Sequence, residues 1–293
     1  MKKIIETFEL TKFYKKHLGI KDINLSVDEG EIFGFIGSNG AGKSTTIRTL
    51  LGLIKASSGE AEIFGKEISE NKEFILSHIG YMPSESNFYG DMRVGELIKY
   101  SAQLRKLNCD EEAKKLVNRF ELDVKKKISE LSLGNRKKVN IVCAMQHKPK
   151  LYIFDEPTSG LDPLMQREFW DLVKERNQEG ATVFLSSHIL SEVQHYCHRA
   201  AIISNGSLVM TSAISEIIKS MAKRIIITGL SSDFNVEGIK NLKVNGEVAS
   251  FLYSGDINMI LHELSKTEIK DLIITEPDLD EIFMHYYERS ETR

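Results

Sequence analysis

The chain has 293 residues, of which 41% are hydrophobic and 28% charged, with a formal net charge of −3. That allows one large domain or two modest ones with ample core, and gives no global electrostatic reason to expect nucleic acid as a partner. Cys109, Cys143 and Cys197 are widely spaced, odd in number and form no C-x-x-C pair, which argues against a zinc site or disulfide framework and predicts a reduced compartment. No run approaches the roughly 18 apolar residues of a membrane span. In Met1-Lys2-Lys3-Ile4-Ile5-Glu6 a charge interrupts the apolar run too early for a secretory leader. Work at a membrane would therefore need another chain to supply the membrane part.

Residues 4–10 and 22–28 alternate as strands, joined through the basic, aromatic stretch Phe13-Tyr14-Lys15-Lys16. The apolar run Ile32-Phe33-Gly34-Phe35-Ile36 reads as a buried strand, and residues 46–54 repeat Ile47, Leu50, Leu51 and Ile54 at helical spacing. Between them stands Gly37-Ser38-Asn39-Gly40-Ala41-Gly42-Lys43-Ser44-Thr45, which fits G-x-x-x-x-G-K-[S/T] in its strand–turn–helix context. Glycines let the backbone curl around phosphate oxygens and point successive N–H groups inward. The helix start adds unpaired N–H groups and the positive end of a dipole. Lys43 is expected to reach the β- and γ-phosphates and the Ser44 hydroxyl to ligate Mg²⁺. A glycine-rich turn with no ligand would need neither all four fixed positions nor both flanks.

A turn at Ser57-Ser58-Gly59 leads to a strand over 60–64, and another strand over 78–82 ends at Pro83. Residues 94–107 and 111–120 are helical and charged, predicting a mostly helical insertion, and Leu131-Ser132-Leu133-Gly134 leads into a helix over 136–147. Leu151-Tyr152-Ile153-Phe154 then reads as a buried parallel strand ending in Asp155-Glu156-Pro157. A helix over 163–179 closed by Gly180, strands over 181–185 and 199–204 flanking a helix over 190–198, and the hairpin turn Asn205-Gly206 before 208–210 complete an α/β pattern with a mostly parallel sheet. Beyond about residue 219 the texture changes to strands near 225–227, around Asn245-Gly246 and over 272–275, with helices over 257–266 and 278–288. The predicted domains are 1–218 and an α+β appendage over 219–293.

A carboxylate at the carboxyl end of a buried strand faces the crevice where open α/β sheets bind ligands. Asp155 is placed to hold Mg²⁺ through water, and Glu156 to orient or deprotonate a water attacking the γ-phosphate. Adjacent acids on a strand point opposite ways, so one of the two could simply be solvated. Nucleoside triphosphate hydrolysis is the expected reaction.

Taken together, residues 4 to about 215 resemble the nucleotide-binding subunits of ABC transporters. Asp155-Glu156-Pro157-Thr158-Ser159-Gly160-Leu161-Asp162-Pro163 resembles their Walker B strand and D-loop, Leu131-Ser132-Leu133-Gly134-Asn135 stands where their signature motif lies, and Ser186-Ser187-His188 matches their switch-histidine loop. The resemblance implies a phosphate-loop NTPase fold with a parallel core sheet, an antiparallel β portion and a helical subdomain over about 84–147. It implies ATP as the nucleotide, with Tyr14 stacking on adenine, although Phe13 beside it could be the ring that stacks or either could be core. Ser132 and Gly134 would contact the γ-phosphate of ATP held by an opposite subunit, in a head-to-tail homodimer or heterodimer. His188 would sense that phosphate, and Asp162 would brace the dimer.

Two departures stand out. Leu133 replaces a glycine of many relatives and resembles a subgroup serving drug, peptide and lantibiotic export. In Tyr81-Met82-Pro83-Ser84-Glu85, Ser84 occupies the place of the family's metal-ligating Gln or Glu, so either Glu85 substitutes as the Mg²⁺ ligand or coordination is weaker and turnover slow. The segment Ile274-Thr275-Glu276-Pro277-Asp278-Leu279-Asp280-Glu281-Ile282-Phe283 resembles the tails of ATPases in drug-resistance, sodium-export and bacteriocin-immunity systems, and the whole chain those of phenol-soluble-modulin exporters. By its pattern alone, this tail is a strand, a turn and a capped helix that either regulates or covers exposed core. The expected protein is an ATPase, cytoplasmic and peripheral on the inner face of the membrane, paired with a separately encoded integral-membrane permease and exporting a drug or an antimicrobial or cytolytic peptide. The alternative is a soluble ABC ATPase acting on the ribosome or DNA. A single nucleotide-binding domain, a slightly acidic balance and only about 90 residues between phosphate loop and signature, without heptads, count against it. An ordinary phosphate-loop kinase would leave Ser132, Gly134 and His188 unexplained.

Overall fold

A computed structural model describes residues 2–85, 88–219, 223–229, 236–266 and 268–275. The helix expected over 278–288, and with it most of the tail motif, lies outside the described residues.

The chain opens with β1 (Lys3–Tyr14), β2 (His17–Ile23) and β3 (Ser26–Asp28), followed by β4 (Ile32–Ile36), α1 (Lys43–Leu50) and β5 (Ser58–Ile63). Phe13 and Tyr14, expected in a connection, belong to β1, and Lys15 in the left-handed region (φ 55°) makes the hairpin turn to β2. β6 (Lys66–Glu67) follows, then α2 (Ile68–Ser77) and β7 (Ile79–Met82). Helix α2 has no counterpart in the sequence reading, because only Ile68 and Ile75 are buried and Asn71 breaks its regular dihedrals. A helix with two buried residues leaves little apolar periodicity to read.

The insertion consists of α3 (Val94–Leu104), α4 (Asp110–Arg119) and α5 (Leu133–Met145). α3 stops before the expected 107 because Lys106 takes a left-handed φ of 56°. α5 starts earlier than expected because Ser132 caps it, its hydroxyl accepting from the Asn135 N–H at 3.3 Å. After β8 (Leu151–Asp155) comes α6 (Pro163–Gln178), which ion pairs tie to α4. Arg119 meets Glu168 at 3.0 Å and Glu175 at 2.7 Å, and Arg176 meets Glu112. β9 (Thr182–Ser187), α7 (Leu190–Tyr196), β10 (Arg199–Ser204) and β11 (Ser207–Ala213) complete this part.

Two sheets organise it. One is antiparallel, ordered β2-β1-β5-β6 with β3 also on β1, and the other is ordered β11-β10-β4-β9-β8-β7, parallel from β10 to β7. β4, β8 and β9 are buried at every residue, as a parallel strand covered on both faces must be. Phe33 and Phe184 stack at 5.9 Å between centroids inside that core. The order places β4 between β9 and β10, so the chain leaves β4 toward β7 on one side and leaves β9 toward β10 on the other, and such a switch point is where open α/β sheets bind ligands.

The chain divides into two compact units, one ending at Thr211 and the other beginning at Ser212. The second contains α8 (Ile214–Lys219), β12 (Lys223–Thr228), β13 (Ile239–Asn245), β14 (Val248–Tyr253), α9 (Ile257–Leu264) and β15 (Asp271–Thr275). Its antiparallel sheet, ordered β13-β14-β12-β15, buries Ile225, Ile227, Phe251 and Tyr253 against Ile260 and Leu264 of α9.

Candidate active site

The loop after β4 is shaped by glycine. A Cβ at Gly37 would stand 2.7 Å from the Ile203 carbonyl oxygen, and Gly40 and Gly42 hold φ of 82° and 111°, which side chains rarely adopt. This turn delivers Lys43 to the first position of α1, only 5% exposed. Its ammonium donates to the carbonyls of Gly37 at 2.7 Å and Ser38 at 3.2 Å and lies 3.3 Å from Glu156 Oε1. Ser44 and Thr45 follow in the first turn, half-buried, while Asn39 and Gly40 are exposed and Ala41 is buried.

Parallel register brings the acids to the same end. Ile36 pairs with Ser187 and Asp155 with Ser186, so β4, β8 and β9 finish side by side. Asp155 is fully buried, and its Oδ1 accepts from the Ser186 hydroxyl at 2.6 Å. Its Oδ2 is buried without a hydrogen-bond partner among the described residues. An unsatisfied buried carboxylate oxygen is costly, so it calls for a partner such as a cation. Glu156 has a left-handed φ of 49°, a strain of about 1–2 kcal/mol for a residue with a Cβ. Its N–H is held by the Ser186 carbonyl and hydroxyl, both at 3.2 Å. The twist takes Glu156 out of strand alternation and turns it toward Lys43. Glu156 Oε1 lies between Lys43 and His188, whose Nδ1 is 3.2 Å away.

Mg²⁺ binds through one or two carboxylates plus substrate phosphates and keeps several waters, rather than sitting in an all-protein cage. The residues fit that mode. Asp155 offers a free oxygen and Ser44 a hydroxyl, and among the described residues no group of three His, Cys, Asp or Glu side chains forms a metal cage.

The remaining expected site residues fall into two sets. Tyr14 is 44% exposed, and its ring edge and the Thr45 methyl flank Gly19, where an added Cβ would stand 3.0 and 3.1 Å from them. Phe13 is equally exposed, but its N–H donates to the Ser57 hydroxyl, on the β5 side. Tyr14 is thus the ring beside the phosphate loop. Ser132, Gly134 and Asp162 lie together elsewhere: Gly134 packs close to the Gly160 carbonyl, and Asp162 caps α6 by accepting from the Met165 N–H at 3.0 Å. Glu85 is exposed.

Two buried side chains escaped the sequence reading. Glu192 accepts from the hydroxyls of Thr158 at 3.0 Å and Ser187 at 3.4 Å, joining the segment after the acids to the segment before His188. Burial, countered by those hydrogen bonds, raises its carboxyl above the usual range. Lys137 of α5 is 2% exposed and donates to the Ser84 carbonyl at 2.9 Å. Burial pulls its ammonium below the ordinary lysine value against the opposing attraction of Asp155 and Glu156. A lysine four residues before Ile141 and eight before Met145, inside an apolar stripe, was the available signal.

A phosphate-binding loop, a buried acid with a free oxygen, and a second acid between a lysine and a histidine define a phosphate-loop nucleoside triphosphatase. The model of the family described as "ABC transporter" matches residues 20–159. The bacitracin transport ATP-binding protein BcrA of Bacillus licheniformis is 41% identical over 215 residues, covering 71% of this chain and 69% of its own length. A solved ATP-binding subunit of an ABC transporter is 31% identical with a TM-score of 0.71, over 74% of this chain and 92% of that one. A cassette solved as a dimer in a post-hydrolysis state with ADP and Pi shares the fold, at 22% identity and a TM-score of 0.63 over 72% and 98%. The chain belongs to the ABC transporter family of ATP-binding subunits, which bind and hydrolyse ATP.

Proposed function

We propose that this ATPase subunit closes as a head-to-tail dimer around ATP and drives export of a drug or an antimicrobial or cytolytic peptide through a separately encoded permease. The observation that carries the ATPase part is the cluster at the ends of β4, β8 and β9, where Glu156 lies between Lys43 and His188 beside the free oxygen of Asp155. Lys43 and the inward N–H groups of residues 37–45 would hold the triphosphate, and Tyr14 would stack on adenine. Ser44 and Asp155 would hold Mg²⁺, which supplies charge neutralisation on the phosphate oxygens. Glu156 would orient and deprotonate the attacking water, with His188 holding both that carboxylate and the γ-phosphate. Glu85 would reach the metal only by turning inward, so Ser84 leaves turnover slow.

Support for the dimer comes from the exposed start of α5, where Ser132, Leu133 and the half-buried Gly134 face outward beside exposed Asp162. Such a surface suits the γ-phosphate of a second subunit's ATP, with Asp162 bracing the contact. The likeness to a bacitracin transport protein supports a peptide or drug as cargo. The residues from 212 onward, with their own core, would form an accessory domain. Co-reconstitution in vesicles with the membrane protein encoded beside it tests the export reading. Antimicrobial or cytolytic peptides, or drugs, should stimulate ATP hydrolysis and leave the ATP side of the membrane. A permease-bound rate unmoved by every peptide and drug offered would overturn it.

A further inference from the structure

Lys137 is a buried cation that the ATPase mechanism above does not use. Taking an ammonium to 2% exposure costs several kcal/mol unless it is hydrogen-bonded and faces opposite charge. It does both: Nζ donates to the Ser84 carbonyl at 2.9 Å, and the charges of Asp155 and Glu156 act on it. Its backbone belongs to α5, the helix that Ser132 caps. One side chain therefore joins the loop after β7 to the helix bearing Ser132 and Gly134, within electrostatic reach of the acids at the end of β8. The residue it grips is Ser84, through its backbone carbonyl.

We propose that Lys137 is a positioning residue of the ATPase, capturing the Ser84 carbonyl to hold the loop after β7 against α5 beside Asp155 and Glu156. This rests on the ATPase reading. The loop is held here through its backbone, and a movement of the loop is passed to α5 through one hydrogen bond.

The test uses the full chain and two variants. K137M keeps the volume but loses donor and charge, whereas K137Q keeps a donor without the charge. Hydrogen exchange without nucleotide should speed up about fivefold or more at residues 81–85 in K137M, with 151–155 unchanged. In K137M, kcat should fall about tenfold while KM for ATP stays within about threefold, and K137Q should recover at least half of the loss on a logarithmic scale. Wild-type exchange and kcat in K137M overturn the proposal. So does an equal loss in both variants accompanied by a lowered melting temperature, the mark of a merely structural residue. If K137M does not fold, Lys137→Ser, which cannot reach Ser84, gives the same comparison. A wild-type chain that fails to hydrolyse ATP sinks the ATPase reading, while the exchange measurement still decides whether Lys137 anchors the loop.

Discussion

The phosphate loop with its acids and the start of α5 are both short motifs, but they stand in opposite environments. Lys43 is 5% exposed and Asp155 fully buried, each held by named partners, whereas Leu133 is 69% exposed and Ser132 and Asp162 face solvent. The Ser132 hydroxyl accepts a long 3.3 Å bond from its own helix. Groups fixed in a dry site need no reorganisation when charge develops, which is where electrostatic catalysis gains most. Groups at an exposed helix start cost little to redirect toward a new partner. In the proposed dimer, the contrast would be that of a preorganised half-site and an open half that a second subunit completes.

Substitutions can break this contrast. Glu156→Gln should lower kcat about 10³-fold, within the range for losing a general base, while ATP stays bound and a dimer accumulates. Light scattering that finds a monomer with saturating ATP would remove the sandwich arrangement. Lys43→Ala should weaken ATP binding by itself about 10²-fold, the worth of a buried charge-assisted contact. Calorimetry returning wild-type affinity would dissolve the distinction between floor and open half. Gly134→Asp places a carboxylate where the phosphate should arrive, and an added Cβ already stands 3.0 Å from the Gly160 carbonyl. In the Glu156→Gln background it should abolish the ATP-dependent dimer yet leave monomer affinity within about threefold, since repulsion acts only at the closed interface. If monomer binding falls as far as dimerisation, Gly134 belongs to the same half as Lys43. The smallest effect is structural: Ser132→Ala should cost about 1 kcal/mol of stability through the lost cap, read from urea unfolding.

How legible each part was depends on the range of the forces that shape it. The phosphate loop could be read because its determinants, two glycines at positive φ between a buried strand and a helix, are contiguous in the chain. Asp155 and Glu156 were legible as a pair at a strand end, but the bend of Glu156 toward Lys43 and His188 was not. That bend depends on Ser186, thirty residues away, which holds the Glu156 N–H. Helix α2 was missed for the opposite reason, its local pattern being too weak to announce it. Tyr14 and Phe13 were indistinguishable as letters and became distinct only when Gly19 placed one of them beside Thr45.

By itself the sequence determined the reaction class, most of the order of strands and helices, and the chemical identity of the groups proposed to touch phosphate. Those follow from glycine dihedrals, apolar periodicity and the end of an apolar run, all properties of neighbouring residues. Only the tertiary structure decided which oxygen of Asp155 is free, that one oxygen of Glu156 serves both Lys43 and His188, and that Lys137 grips Ser84 across 53 positions of chain. Those outcomes are set by strand register and by burial, which bring distant residues within hydrogen-bond reach and leave a charge no water to turn to.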